Sequence, residues 1–102
     1  IAIAHGDLND FADQVLIAQA ADTLLAMDGV IASFVLSRKS ESSIGISARS
    51  LGDINVQVIM ERLGGGGHLT NAATQLDDIS MEEAEQLLKN AIDELFEGGT
   101  NT

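Results

Sequence analysis

Four consecutive glycines followed by a histidine are the most unusual feature of the chain. The glycines occupy positions 64–67 and directly precede His68 in the stretch RLGGGGHLTNAA. Residues without side chains leave backbone N–H groups uncovered and let a phosphate or a sugar approach the main chain. An imidazole can donate a hydrogen bond to a phosphate oxygen. The stretch predicts an anion site, and we expect a helix after the glycines to direct the positive end of its dipole there.

Arg49 is the second candidate for binding an anion. It lies in the stretch ISARS, where Ile44, Ile46 and Ala48 alternate with Gly45, Ser47 and Arg49. This alternation is typical of a strand with one apolar and one polar face. A guanidinium on the polar face can bind a phosphate through two parallel hydrogen bonds. The hydroxyls of Ser47 and Ser50 on either side are further candidate donors.

Other site chemistries fit the sequence less well. No Lys-Ser or Lys-Thr pair follows the glycines, and the glycines follow a predicted helix, whereas a dinucleotide-binding fingerprint follows a strand. His5 and Asp7 are two potential metal ligands, where most sites need three or four. No hydroxyl or thiol nucleophile is paired with a base. We therefore predict no catalytic residue and no metal site in this chain.

Simpler interpretations of the same residues stay open. A four-glycine run is also typical of a hinge, and His68 and Arg49 taken singly also fit exposed surface side chains. A binding site requires that folding bring Arg49, His68 and the glycines together on one side of the sheet.

The apolar periodicity predicts an α/β domain with a small mixed β-sheet flanked by helices, in the order β-α-β-β-α-(Gly loop)-α-β-α. Strands are expected at residues 1–4, 30–37, 44–50 and 73–76, and the second and third should form an antiparallel hairpin. Helices are expected from about residue 9 to 27, 53 to 63 and 80 to 96, with one or two further turns after the glycines.

Capping residues and apolar faces refine the predicted helices. Asp7 or Asn9 would cap the first helix and Asp53 the second, and Ser80 with Glu83 forms a capping box for the last. The apolar face of the second helix is Val56, Ile59, Met60 and Leu63, and that of the last is Met81, Ala84, Leu87, Leu88, Ala91 and Leu95. We expect one domain over residues 1–96 and a disordered tail over 97–102.

The charge distribution narrows the choice of partner. The net charge is −11, yet residues 38–62 contain four of the five basic residues and sum to +1. The middle of the chain could therefore bind a small anion, whereas duplex DNA and an anionic membrane are disfavoured as partners.

No run of about 20 apolar residues is present, so we expect no membrane contact by this chain. Because the first residue is Ile, we expect a longer parent protein.

The glycine motif resembles that of a known family. GGGGHLTNAA is similar to the GGGH-x-x-AA motif of the DHH-associated domain, the C-terminal lobe of DHH phosphoesterases, and ISARS to the S-x-R-S strand before it. The resemblance covers nearly the whole chain and is strongest to the membrane-anchored cyclic-di-AMP phosphodiesterases of Firmicutes. Thr74 departs from the pattern, because many relatives have glycine there, and we expect it to restrict backbone approach after Ala73.

The resemblance implies a division of labour between two lobes. The DHH lobe would bind two manganese ions and hydrolyse cyclic-di-AMP to pApA, or cleave short adenine dinucleotides. This lobe would bind substrate without cleaving it and would hold no cofactor of its own, because no Asp-His-His motif is present. The parent would lie at the cytoplasmic face of the membrane, anchored by upstream helices. The residues implied to contact substrate are Gly64, Gly65, Gly66, Gly67, His68 and Arg49, with Ser47 and Asn71 as weaker candidates.

Two alternatives belong to other functional classes. Alanyl-tRNA synthetases end in a related lobe, which suggests RNA binding, but the charge and the absence of Trp and Tyr disfavour it. The second alternative is a homodimerisation module in which the glycines form only a hinge.

Overall fold

The computed structural model describes residues 1–6, 14–27 and 29–100. These residues form eight elements: β1 (Ala2–Gly6), α1 (Gln14–Leu25), β2 (Ala32–Arg38), β3 (Ser43–Ser50), α2 (Val56–Arg62), β4 (Gly66–His68), β5 (Asn71–Asp77) and α3 (Met81–Thr100). The strands form one sheet in the order β1-β2-β3-β5-β4. Among the described strands, only β1 runs parallel to its neighbour, so the predicted mixed sheet is confirmed.

One face of the sheet packs against α2 and α3 and forms the main core. Ile44, Ile46 and Ala48 of β3 are fully buried on this face, as their alternation predicts. They pack in one cluster with the apolar residues of α2 (Val56, Ile59 and Met60) and of α3 (Ala84, Leu88, Ala91 and Ile92).

The other face is only partly covered, because α1 packs against β2 and β3. Ala21 of α1 contacts Val35, and the hydroxyl of Ser33 donates to the Ala21 carbonyl at 2.6 Å. Asn71, Ala73 and Gln75 of β5 point to the same side and are exposed. The sheet therefore leaves an uncovered surface beside α1.

The segment after the glycines differs from the prediction. We expected one or two helical turns within residues 68–73, whereas β4 and β5 form a hairpin around the turn at Leu69 and Thr70. The carbonyls of these two residues accept hydrogen bonds from Val56 at 3.1 Å and Ser50 at 3.0 Å. Pairing with β3, more than twenty residues earlier, overrides the helical preference of Leu and Ala. The predicted strand at 73–76 is the central part of β5.

The caps of the two described helix starts agree with the prediction at α3 and differ from it at α2. Asn55, not Asp53, caps α2, since its side chain accepts from the Val58 N–H at 3.3 Å. At α3 the Ser80 hydroxyl accepts from the Glu83 N–H at 3.1 Å, so Ser80 is the cap that the sequence predicts. The predicted caps Asp7 and Asn9 of the first helix lie outside the described residues.

The last helix is longer and rotated slightly relative to the prediction. It continues to Thr100, whereas we placed its end at about Phe96. Leu87 is 41% exposed, and Ile92 is buried instead. No described helix combines the length and hydrophobicity needed to span a bilayer.

Candidate functional site

The strand register places the predicted anion ligands in one row. Arg49 of β3 pairs with Asn71 of β5, and Asn71 pairs with His68 of β4. Directly paired residues of antiparallel strands project from the same face of a sheet. Arg49, Asn71 and His68 are therefore neighbours on the face that α1 leaves partly uncovered.

A second row lies one step further along the same face. Ser47 pairs with Ala73, and Ala73 pairs with Gly66. We call the surface formed by these two rows the open face: Ser47, Arg49, Gly66, His68, Asn71 and Ala73. It unites Arg49, His68 and part of the glycine run, which is the condition that the sequence alone could not test.

The four glycines have different local reasons to be glycine. Gly64 has a left-handed backbone with φ of 87° directly after α2. Its N–H donates to the Glu61 carbonyl at 3.1 Å, and the Gly65 N–H donates to the Met60 carbonyl at 2.8 Å. This is the Schellman pattern that ends many helices. Two of the four predicted amide donors are therefore engaged by α2.

Gly65 and Gly67 lie too close to β5 to accept a side chain. A Cβ at Gly65 would lie 2.5 Å from the Thr74 Cβ, and one at Gly67 would lie 2.5 Å from the Ala72 Cα. Gly67 also has a φ of 145°, which side chains rarely adopt. The fold alone accounts for both glycines.

Gly66 is different, because the fold gives no reason for its missing side chain. A Cβ at this position would meet no atom within 4 Å, and its φ is not in the left-handed region. Pairing with Ala73 directs this position toward the open face. Glycine at position 66 keeps this surface flat, which allows a ligand to approach the main chain.

The glycine run is not followed by a helix, so the predicted helix dipole does not contribute to the site. His68 is the last residue of β4, and β4 is an edge strand of the sheet. The structure replaces the expected loop and helix terminus with a strand edge, where alternate backbone groups point away from the partner strand.

The charged side chain of Arg49 is largely covered, with 15% of it exposed. Its Nε donates to Asp22 Oδ1 on α1 at 3.1 Å, and its Nη1 donates to the Ala48 carbonyl at 2.9 Å. A guanidinium has five N–H donors. Three of them stay available for a ligand within the described part of the chain.

The other polar groups of the open face are available as well. Within the described residues, the Ser47 hydroxyl, the Asn71 amide and the His68 imidazole make no side-chain hydrogen bond. Ser50 differs from the prediction, because it is buried on the opposite face and its hydroxyl donates to the Ile54 carbonyl at 2.6 Å. It is therefore not a ligand candidate.

Thr74 faces away from this surface. Its side chain is buried against the end of α2, and its hydroxyl donates to the Leu63 carbonyl at 3.0 Å. We expected Thr74 to restrict approach to the main chain after Ala73, whereas its side chain leaves the open face free. The absence of a side chain at Gly65 makes the room for it.

Sequence reasoning missed two charged residues that lie beside the open face, Asp22 and Lys39. Asp22 is 27 positions away from Arg49 in the chain. The aliphatic stem of Lys39 lies over Gly45, which faces the same side as Ser47 and Arg49. A glycine within an alternating strand is a signal of such close packing, but it does not identify the residue that packs there.

The described part of the chain contains no cluster of potential metal ligands. No three His, Cys, Asp or Glu side chains of these residues converge. Asp7 lies outside the described residues, so the pair formed with His5 has no described geometry.

Comparisons with known proteins support the family resemblance. A family model described as the DHHA1 domain matches residues 2–98. The chain is 69% identical over 99 residues to the cyclic-di-AMP phosphodiesterase GdpP of Geobacillus thermodenitrificans, covering 97% of this chain and 15% of that protein. It is 59% identical over 100 residues to the cyclic-di-AMP phosphodiesterase PdeA of Listeria monocytogenes, covering 98% and 15%. The chain thus spans a small part of these relatives.

Solved structures share the fold at low identity. The exopolyphosphatase-related protein from Bacteroides fragilis superposes with a TM-score of 0.74 at 22% identity, over 88% of this chain and 27% of that one. The C-Ala domain of Aquifex aeolicus alanyl-tRNA synthetase superposes with a TM-score of 0.65 at 19% identity, over 87% and 88%. The family match over nearly the whole sequence identifies the chain as a member of the DHHA1 family, the DHH-associated domains.

Proposed function

We propose that this domain is the substrate-binding lobe of a two-lobed phosphodiesterase that hydrolyses cyclic-di-AMP to pApA or cleaves short adenine dinucleotides. The observation that supports it most is the row of Arg49, Asn71 and His68 across three strands, beside the unobstructed Gly66. A cation, two further side-chain donors and bare main chain on one surface match the needs of a nucleotide phosphate. The names of the two cyclic-di-AMP phosphodiesterases point to the substrate class.

Each residue has a distinct part in this proposal. Arg49 pairs with a phosphate oxygen through its free N–H groups. His68 and Asn71 donate to the same phosphate or to the edge of a base or ribose, and Ser47 donates from the adjacent row. Gly66 leaves room for the ligand above the edge strand, and Gly67 forms the main chain beside it. Gly64 and Gly65 act indirectly, since they end α2 and set the position of the strand.

The chemical step belongs to another part of the parent protein. We propose that a DHH lobe elsewhere in the parent protein would hold manganese, which would supply the activation of a water nucleophile. This domain holds the substrate against that lobe, and Arg49 provides a positive charge at the site although the net charge of the domain is −11. Anchoring of the parent in the membrane, with both lobes at its cytoplasmic face, stays part of the proposal.

Calorimetry with cyclic-di-AMP on the full-length two-lobed protein tests the proposal. Arg49→Ala and His68→Ala should each weaken binding at least about tenfold, since each removes a direct phosphate or nucleotide contact. Gln86→Ala on the exposed side of α3 is the control and should bind as wild type does. Unchanged affinity in both site variants would discard the site. Light scattering on the same samples would reveal a dimer, the rival role for this domain.

A further inference from the structure

Asp22 contacts Arg49, the side chain that we propose binds phosphate, from a different element of the fold. It lies on α1, and its Oδ1 accepts from Arg49 Nε at 3.1 Å. The second fixed point of the guanidinium is the bond from Nη1 to the Ala48 carbonyl at 2.9 Å. Together the two bonds define the plane of the guanidinium, because they hold two of its three nitrogens.

The geometry leaves one part of the guanidinium for a ligand. With Nε and one N–H of Nη1 engaged, the two N–H groups of Nη2 and the second one of Nη1 stay free within the described residues. An oxyanion can pair with Nη1 and Nη2 together without displacing Asp22. The alternative pairing, through Nε and Nη2, is blocked while Asp22 stays in place.

We propose that Asp22 is a positioning residue that orients Arg49 so that its Nη1 and Nη2 face the phosphate of the substrate. This inference rests on the proposed function, since it assumes that Arg49 contacts a phosphate. It also names which edge of the guanidinium recognises the anion.

A purely stabilising ion pair explains the arrangement less well. The Asp22 side chain is 65% exposed, and ion pairs that involve an exposed partner contribute little to folding. A carboxylate beside an anion site also repels the ligand, so its presence there needs a compensating benefit. A fixed guanidinium provides one, because a preoriented side chain loses less conformational freedom on binding.

Steady-state kinetics with cyclic-di-AMP on the full-length two-lobed protein tests the inference. Asp22→Ala should raise KM about fivefold with kcat within about twofold of wild type, because it releases Arg49 without touching the reacting atoms. Asp22→Asn keeps an oxygen acceptor at the same place, and its KM should stay close to the wild-type value. Asp93→Ala is the matched control: it removes one exposed helical carboxylate on α3 and should leave KM unchanged.

A double-variant cycle separates this inference from the proposed function. Adding Asp22→Ala to Arg49→Ala should cause no further rise in KM, since Asp22 acts through Arg49. A normal KM for Asp22→Ala, beside a strongly raised KM for Arg49→Ala, would overturn the role of Asp22 and leave the proposed function standing. A lowered KM in both Asp22 variants would overturn it too, because Asp22 would then compete with the ligand. A normal KM and affinity for Arg49→Ala would instead remove Arg49 from the proposed site, and the role of Asp22 with it.

Discussion

The two faces of strand β3 differ in what their residues do. Ile44, Ile46 and Ala48 are buried against α2 and α3, where every side chain fills space in the core. On the opposite face, Ser47 and Arg49 border a surface that α1 covers only in part. The same eight-residue strand therefore serves folding with one face and ligand binding, as we propose, with the other. The contrast teaches that alternate positions of this strand should respond differently to substitution.

The largest effect should separate these two faces directly. Ile46→Ala removes a fully buried side chain and should lower the free energy of unfolding by about 3 kcal/mol. Ser47→Ala, its neighbour on the open face, should change it by less than about 0.5 kcal/mol. Denaturant unfolding of both variants measures the difference. Equal losses would show that the open face is also packed.

Substitutions in the glycine run should repeat the contrast on strand β4. Gly65→Ala forces a Cβ into the main chain of β5 and should cost about 2–3 kcal/mol of unfolding free energy. Gly66→Ala meets open space and should keep the wild-type stability to within about 1 kcal/mol. If ligand passes over Gly66, the stable Gly66→Ala variant should nevertheless bind cyclic-di-AMP at least about tenfold more weakly.

That pair of variants also has a clear negative outcome. Thermal melting of Gly66→Ala at the wild-type temperature, together with wild-type affinity, would show that the surface above Gly66 is not used. A loss of stability as large as that of Gly65→Ala would contradict the open space described there.

Thr74 gives a smaller effect on the core side of the hairpin. Thr74→Val keeps the volume but removes the hydroxyl that donates to the Leu63 carbonyl, and should cost about 1 kcal/mol. Ligand affinity should stay unchanged, because the side chain faces away from the open face. Weaker binding without a loss of stability would place Thr74 at the site instead.

The smallest effect concerns the far end of β5. The hydroxyl of Ser43 donates to the Asp77 carboxylate at 2.7 Å and, with the amide of Gln75, lowers its pKa. A lowered pKa stabilises the folded state above the unfolded pKa, and this contribution is lost as the pH falls through the folded pKa. The melting temperature of Asp77→Asn should therefore lie below that of wild type at neutral pH, and the difference should shrink below about pH 4.

Ser43→Ala provides the matched test of that pH dependence. It removes the larger cause of the lowered pKa and should reduce the same pH-dependent part of the stability. A difference between wild type and Asp77→Asn that stays constant with pH would contradict the assignment.

Local patterns were sufficient to predict most of the fold. The alternation in β3, the apolar face of α2 and the Ser80 cap depend on neighbouring residues only, and the structure confirms them. Two predictions were wrong: Asp53 as the cap of α2 and Leu87 on the buried face of α3. Several polar residues precede α2, and Leu87 lies at the border of the apolar stripe, so packing decides between the alternatives in both cases. The helical turns predicted after the glycines were wrong for the same reason, since the hairpin found there depends on the pairing of β5 with β3.

The candidate site shows the same division between local and long-range information. Residue types and the glycine motif were sufficient to predict Arg49 and His68 as anion ligands, because the ability to bind an anion is a property of the side chain itself. Their position on one face depends on the register of β3 with β5 and of β5 with β4, which is set by contacts distant in the chain. The bond from Arg49 to Asp22, and the difference between Gly66 and its neighbours, exist only once the chain has folded. Composition and spacing thus determine which groups the protein has, and the packed sheet determines which of them meet, because proximity between distant residues is a product of folding.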